Sequence, residues 1–231
     1  MLMKYTLSIA IALAIILVGW FLLKNPTSET VVETQRQNIP QDSEITELGQ
    51  GTYTLVPEES EIAWTAQKPL IPGYVHRGTM GVKEGTLNAR TGTISGEIII
   101  DMNQVKLVSL GGGKAGNESK LEAHLKSGDF FDVGKYPIST FVITQAIKGE
   151  TAGAYTLTGS LTMKDVTHEV SFPAQVFDED GKLHLTAQFE IDRTQWNITF
   201  GSASFFDNLA ENAIGDMVGL TLDLVATAEN S

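Results

Sequence analysis

Few side chains in this sequence have the type and spacing that chemistry requires. The four histidines, His76, His124, His168 and His184, are far apart, and no pair shows the spacing of a zinc site. The chain has no cysteine, so thiolate ligands, a Cys nucleophile, disulfides and a lipid-bearing anchor cysteine are all excluded. No Ser-His-Asp order and no pair of carboxylates stands out, so no catalytic residue, metal or cofactor is assigned. Asp129 and Asp132 flank Phe130-Phe131 and read as cap and turn residues. Two polar residues remain as candidates for a ligand's head group. His124 can offer a hydrogen bond, or it can satisfy backbone in the turn before Phe130. Arg193 stands at a strand end among apolar neighbours and can meet either a carboxylate or a ligand. Gly111-Gly112-Gly113-Lys114 lacks the spacing of a phosphate loop, since Ala115 follows the lysine, and reads as a flexible loop.

Composition narrows the partners. The 231 residues hold 16 Lys and Arg against 28 Asp and Glu, a net charge of −12. Nucleic acid is excluded, because phosphate contacts need clustered cations. The charge is unevenly spread: +2 over residues 1–24, −4 over 25–50 and −10 over 51–231.

These three zones differ in kind. Tyr5–Leu23 carries no charge, and 16 of its 19 residues are apolar or aromatic. As a helix it is about 28 Å long, close to the hydrocarbon core of a bilayer. Lys4 and Lys24 flank it, and Trp20 and Phe21 sit near its far end. It reads as a membrane anchor or a cleaved signal segment. Residues 25–50 are rich in Thr, Ser, Glu and Gln and keep no period, so they form an acidic linker. A folded domain is expected over 51–231. The location expected is the cell envelope: inner-membrane anchored with the domain on the periplasmic side, or periplasmic or secreted if the N-terminus is cleaved.

Alternation dominates the domain. Tyr155, Leu157, Leu161 and Met163 share one parity, and Thr156, Thr158, Ser160 and Thr162 the other. Val170–Val176, Leu185–Ile191, Val218–Leu224 and Ile62–Ala66 behave the same way. Each is a strand with one apolar face. Further strands are expected near 51–56, 75–80, 82–89, 93–101 and 138–147, separated by turns such as Lys164-Asp165 and Asp180-Gly181. Glu118–Ser127 reads as a short helix stopped by Gly128, and Ala203–Gly215 has roughly helical spacing. The class is all-β: an antiparallel barrel with short helical insertions.

The apolar faces must fill a core or line a channel. Trp64, Phe130, Phe141, Leu157, Leu161, Phe172, Phe189, Trp196 and Leu222 are the candidates for contact with an apolar ligand, and each suits core packing equally well.

Four stretches carry a resemblance to a known family. GTYTLVPEESEIAWTA, HLKSGDFFDVGKYPISTFVIT, YTLTGSLTMKDVTHEVSFP and the Arg193-Thr194-Gln195-Trp196-Asn197 element are similar, in order and spacing, to YceI-like polyisoprenoid-binding domains. The resemblance implies a lipocalin-like barrel with an elongated apolar channel. It also implies an exported bacterial protein that binds a long isoprenoid or an isoprenoid-quinone tail, for transport or storage. Family members often carry Arg-Asp where this chain has Leu121-Glu122, so a basic partner for a charged head group is absent there, although Lys120 and Lys126 lie close by. The alternative function is a lipid-modifying isomerase or hydrolase in the same barrel. Association into a homodimer is open.

Overall fold

The structure, a computed structural model, describes residues 49–112 and 116–229. The anchor-or-signal segment 1–24 lies outside them, as does the linker up to residue 48. Among the described residues no helix is long and apolar enough to cross a membrane.

Nine strand segments follow in chain order: β1 (Gly51–Leu55), β2 (Glu61–Gln67), β3 (Val75–Arg90), β4 (Thr93–Leu110), β5 (Ile138–Lys148), β6 (Ala154–Met163), β7 (Val166–Glu179), β8 (Lys182–Asp192) and β9 (Met217–Ala228). One helix, α1 (Glu118–Lys126), joins β4 to β5. All pairings are antiparallel, and each strand from β2 onward lies beside the next. β1 and β2 form one kinked stave: a 3-10 turn at Pro57–Glu59 divides them, and both pair with β3 on one side and β9 on the other. The result is a closed, eight-stave, up-and-down barrel, which leaves no sheet edge exposed.

The period-2 faces translate directly into the barrel. Leu157, Leu161, Phe172, Val176, Leu185, Ile191, Leu222 and Leu224 are buried, while Thr156, Ser171 and Thr221 point outward. Lys164 and Asp165, both at positive φ, make the β6–β7 hairpin, and Asp180 and Gly181 do the same between β7 and β8.

Three expectations change. The segments 75–80 and 82–89 are a single 16-residue strand, and the strand starting at Thr93 runs on to Leu110 rather than ending at Asp101. Shifts of register at Arg77/Gly78, Thr79/Gly81 and Val82/Glu84 let β3 bend without breaking. Ala203–Gly215 is not a helix and contains only a 3-10 turn at Ala210–Asn212. Asn208 (φ 59°) and Ala210 (φ 45°) enter the left-handed region, which a helix does not tolerate.

The barrel has two unlike ends. The short turns at 90–93, 148–154 and 179–182 mark its narrow end, where Tyr53, Leu87, Ile94, Leu183 and Ala226 are almost wholly buried against one another. The long connections 67–75, 110–138 and 192–217 gather at the other end and form its mouth.

Candidate functional site

The mouth half is hollow. A cavity of about 110 Å³ lies there, and its accessible wall is apolar throughout. Ile62, Trp64 and Ala66 from β2 line one side, and Phe172, Phe189 and Ile191 from β7 and β8 line another. Phe141 and Leu161 face it from β5 and β6, and Leu220 and Leu222 from β9. An apolar cavity of this order stays dry and accepts a small hydrocarbon.

Two glycines make room for the large rings on the wall. A methyl group on Gly78 would lie 2.3 Å from Cζ2 of Trp64, and one on Gly159 would lie 2.5 Å from Cε2 and Cζ of Phe141. The rings therefore lie against bare backbone of the neighbouring strand. Phe172 also packs on Phe141, with ring centroids 5.5 Å apart.

The mouth is covered by two connections. From the first, Leu125 of α1 with Phe130 and Phe131 closes over the cavity; from the second, Ile198 and Ile214 do. Lys164 ties the two together, its Nζ donating to the carbonyls of Phe130 (2.7 Å) and Asn197 (3.1 Å).

Arg193 holds the second connection closed. It is 4% exposed. Its Nε donates to Gly215 O at 3.0 Å, one terminal nitrogen to Ile198 O at 2.6 Å and the other to Ile214 O at 3.2 Å. It also lies 3.6 Å from Asp216 Oδ1. Burial works to raise the Asp216 carboxyl, but hydrogen bonds from Ser204 and Ser202 and the charge of Arg193 outweigh it and hold it below the usual carboxylate range. The guanidinium borders the cavity, and three of its five N–H donors are committed to the loop.

The other candidates fall into place around this. Trp64, Phe130, Phe141, Leu161, Phe172, Phe189 and Leu222 line the cavity together with Arg193. Leu157 and Trp196 are fully buried but do not line it, and Trp196 Nε1 donates to Leu161 O at 3.0 Å. His124 lies outside the lining as well. Its Nε2 is 2.8 Å from Asp129 Oδ2, and its ring meets Phe130 and Phe200 edge-on. Lys126, beside it, pairs with Glu122. His168 contacts Gln195 O, and His184 stacks on Phe177. Among the described residues, no three His, Asp or Glu side chains gather as a metal-ligand set.

Sequence reasoning overlooked His76, which it treated only as one of four histidines too far apart to form a zinc site. The register of β3 on β2 sets His76 opposite Ala66 and Gly78 opposite Trp64, so His76 shares the inward face with Gly78 and Met80. The signal was present, since His76, Gly78 and Met80 have one parity, but a glycine in a strand carries no hydropathy to reveal its face.

Comparison with known proteins agrees with this architecture. The chain is 42% identical over 66 residues to a UPF0312 protein of Pseudomonas putida (strain GB-1), and 30% identical over 95 residues to one of Vibrio vulnificus (strain YJ016). These matches cover 29% and 38% of this chain and 33% and 49% of those proteins, so the chain spans a third to a half of the curated relatives it matches. Among solved structures, Burkholderia cenocepacia BcnA superposes with a TM-score of 0.57 at 19% identity, covering 75% of this chain and 99% of that one. A polyisoprenoid binding domain from Saccharophagus degradans, implicated in plant cell wall breakdown, superposes with a TM-score of 0.53 at 14% identity, covering 78% and 100%. At these identities the two structures share the fold. The YceI-like domain model matches residues 53–226, β1 through β9, and the chain accordingly belongs to the YceI-like domain family.

Proposed function

We propose that the barrel binds the apolar chain of a polyisoprenoid or isoprenoid-quinone lipid and carries or stores it at the cell envelope. The observation that carries this reading is the cavity inside the barrel, whose accessible wall is apolar throughout. A wall of this kind selects for length and shape of hydrocarbon, because each buried CH₂ contributes about 0.8 kcal/mol and nothing in it rewards a charge. The polyisoprenoid binding domain that shares the fold gives independent support. The cavity of about 110 Å³ is small beside the roughly 300–1,000 Å³ of common ligand sites. Full occupancy by a long chain therefore requires the wall rings and the covering loops to move apart.

In this reading residues 1–24 hold the protein at the membrane or direct its export, and residues 25–50 give the barrel room to reach the bilayer. A flexible chain of 26 residues has a typical span of about 28 Å. The test is extraction of the full chain, purified without detergent exchange, followed by mass spectrometry and rebinding of isoprenoid lipids to the stripped protein. Recovery of an isoprenoid at close to one per barrel supports the reading. An empty barrel that also fails to bind added isoprenoid alcohols, quinones and hydrocarbons overturns it.

A further inference from the structure

Among the described residues, three buried side-chain polar atoms lack a hydrogen-bond partner: Trp64 Nε1, His76 Nε2 and Asp216 Oδ1. The last lies in the Arg193 clasp, 3.6 Å from the guanidinium. The other two have no such setting, and they are neighbours. Trp64 pairs with Gly78 across β2 and β3, and His76 is two residues along β3 from Gly78 on the same inward face. The two side chains are thus diagonal neighbours, which aromatic side chains can bridge. The indole edge that carries the N–H lies against Gly78, as its close approach to that backbone shows. Trp64 is 5% exposed and forms part of the cavity wall.

A buried polar atom left without a partner is costly, and native interiors hold few of them. We infer that Trp64 Nε1 and His76 Nε2, both closed off from the cavity while the wall rings are packed, form a polar subsite beside its mouth end once those rings part, for one neutral oxygen of the bound lipid, a hydroxyl or a carbonyl. The inference rests on the lipid-binding reading above and specifies its head group. Trp64 donates to that oxygen. His76 either accepts from a hydroxyl or donates to a carbonyl, according to its tautomer.

The surroundings favour a neutral group over an anion. Burial, and then the positive charge of Lys68, hold the His76 imidazole below its ordinary pKa, so it stays uncharged. Lys68 itself sits over the ring of Tyr74, 5.0 Å from its centre, and Tyr74 in turn packs against His76 at 4.8 Å. Arg193 has three of its five donors on carbonyls of the covering loop, with Asp216 beside it. A phosphate at this subsite would be offered one indole N–H and a neutral imidazole, with the charge of Lys68 already engaged on the Tyr74 ring, too little to offset its desolvation.

The test uses the full chain and three probes of equal carbon length: an isoprenoid alcohol, the matching hydrocarbon and the matching monophosphate. The alcohol is expected to bind about tenfold more tightly than the hydrocarbon, as two modest hydrogen bonds would give. Trp64→Phe and His76→Leu should each reduce that preference severalfold; because Trp64 is part of the cavity wall, the preference is read as the ratio of alcohol to hydrocarbon affinity within each variant. In the wild-type protein the indole N–H resonance of Trp64 should move downfield with the alcohol and not with the hydrocarbon. Equal binding of alcohol and hydrocarbon, tighter binding of the monophosphate, or an indole resonance indifferent to the alcohol overturns the subsite while leaving lipid binding intact. Failure of all three probes to bind overturns the lipid-binding reading as well.

Discussion

Phe172 and Phe189 stack face to face on the cavity wall, their ring centroids 4.0 Å apart and their planes within 3° of parallel. The pair spans β7 and β8 and takes up volume that an incoming chain would need. A stack of this kind is held by modest forces, about 0.5–1.5 kcal/mol beyond its area, so it is a natural element to part when ligand enters. Phe189→Ala is expected to enlarge the cavity and lower stability by about 3 kcal/mol, since the wall relaxes only in part. Added isoprenoid alcohol should restore more of the melting temperature in the variant than in the parent. Thermal unfolding with and without the lipid measures both effects.

The contact of Trp64 with Gly78 permits a second experiment. In Gly78→Ala the new methyl group would meet Lys106 O at 2.0 Å as well as the indole, and neither neighbour can retreat far. A loss of about 2–3 kcal/mol is expected from overpacking. Chemical denaturation gives the stability, and the emission of Trp64 reports its displacement. Unchanged emission would show that the ring does not depend on the bare backbone.

Arg193 tests the closure of the mouth. Arg193→Lys keeps the charge but cannot reach the carbonyls of Ile198, Ile214 and Gly215 together. Stability should fall by about 3 kcal/mol, because buried acceptors lose a charged donor. Hydrogen exchange should accelerate over residues 197–216 ahead of the strands. Uniform acceleration throughout the barrel would assign Arg193 to the core rather than to the cover.

Among the groups that make stability depend on pH, His76 and Asp216 act in the same direction. His76 has a lowered pKa in the folded state, so as pH falls through about 6.5 the unfolded chain takes up a proton that the folded chain refuses. Stability is therefore lost as pH falls from that point and levels off below the folded value. His76→Leu should flatten this limb. Asp216, also lowered, contributes stability that is present above the ordinary carboxylate range and is lost at lower pH, as the folded carboxyl protonates. Asp216→Asn should reduce that more acidic portion without touching the His76 limb, leaving the part due to Asp101 and Glu122, which are lowered as well. Denaturation midpoints across pH 3 to 8, an interval set by the usual pKa values of His and Asp, separate the two.

Much of the barrel is legible in the sequence because β6 through β9 alternate strictly, and each parity matches one face. Leu185, Ala187, Phe189 and Ile191 point inward as their period demands. β3 and β4 are harder to read. Gly78, Gly81 and Gly85 interrupt hydropathy without interrupting the strand, because register shifts absorb the bends. The loop over the mouth carries apolar residues at helical spacing, and only the left-handed backbone at Asn208 and Ala210 shows that no helix can form. The site divides in the same way. Side chains that line a cavity and side chains that fill a core obey one pattern, so Leu157 and Leu161 look identical in sequence. Only closure of the barrel places the first away from the cavity and the second on its wall. His76 escapes notice because its neighbour in parity is a glycine.

The packed narrow end has a consequence for traffic. With Leu87, Leu183 and Ala226 filling the floor, the barrel is a blind tube with one doorway. A chain that enters tail first must leave head first, and no second molecule can push it out from behind. In the carrier reading proposed above, hand-over would then be dissociative: the release rate would depend on how often the doorway opens and not on the concentration of acceptor. A carrier of that kind would set the tempo of delivery by itself, as a timer does, whatever the demand on the receiving side.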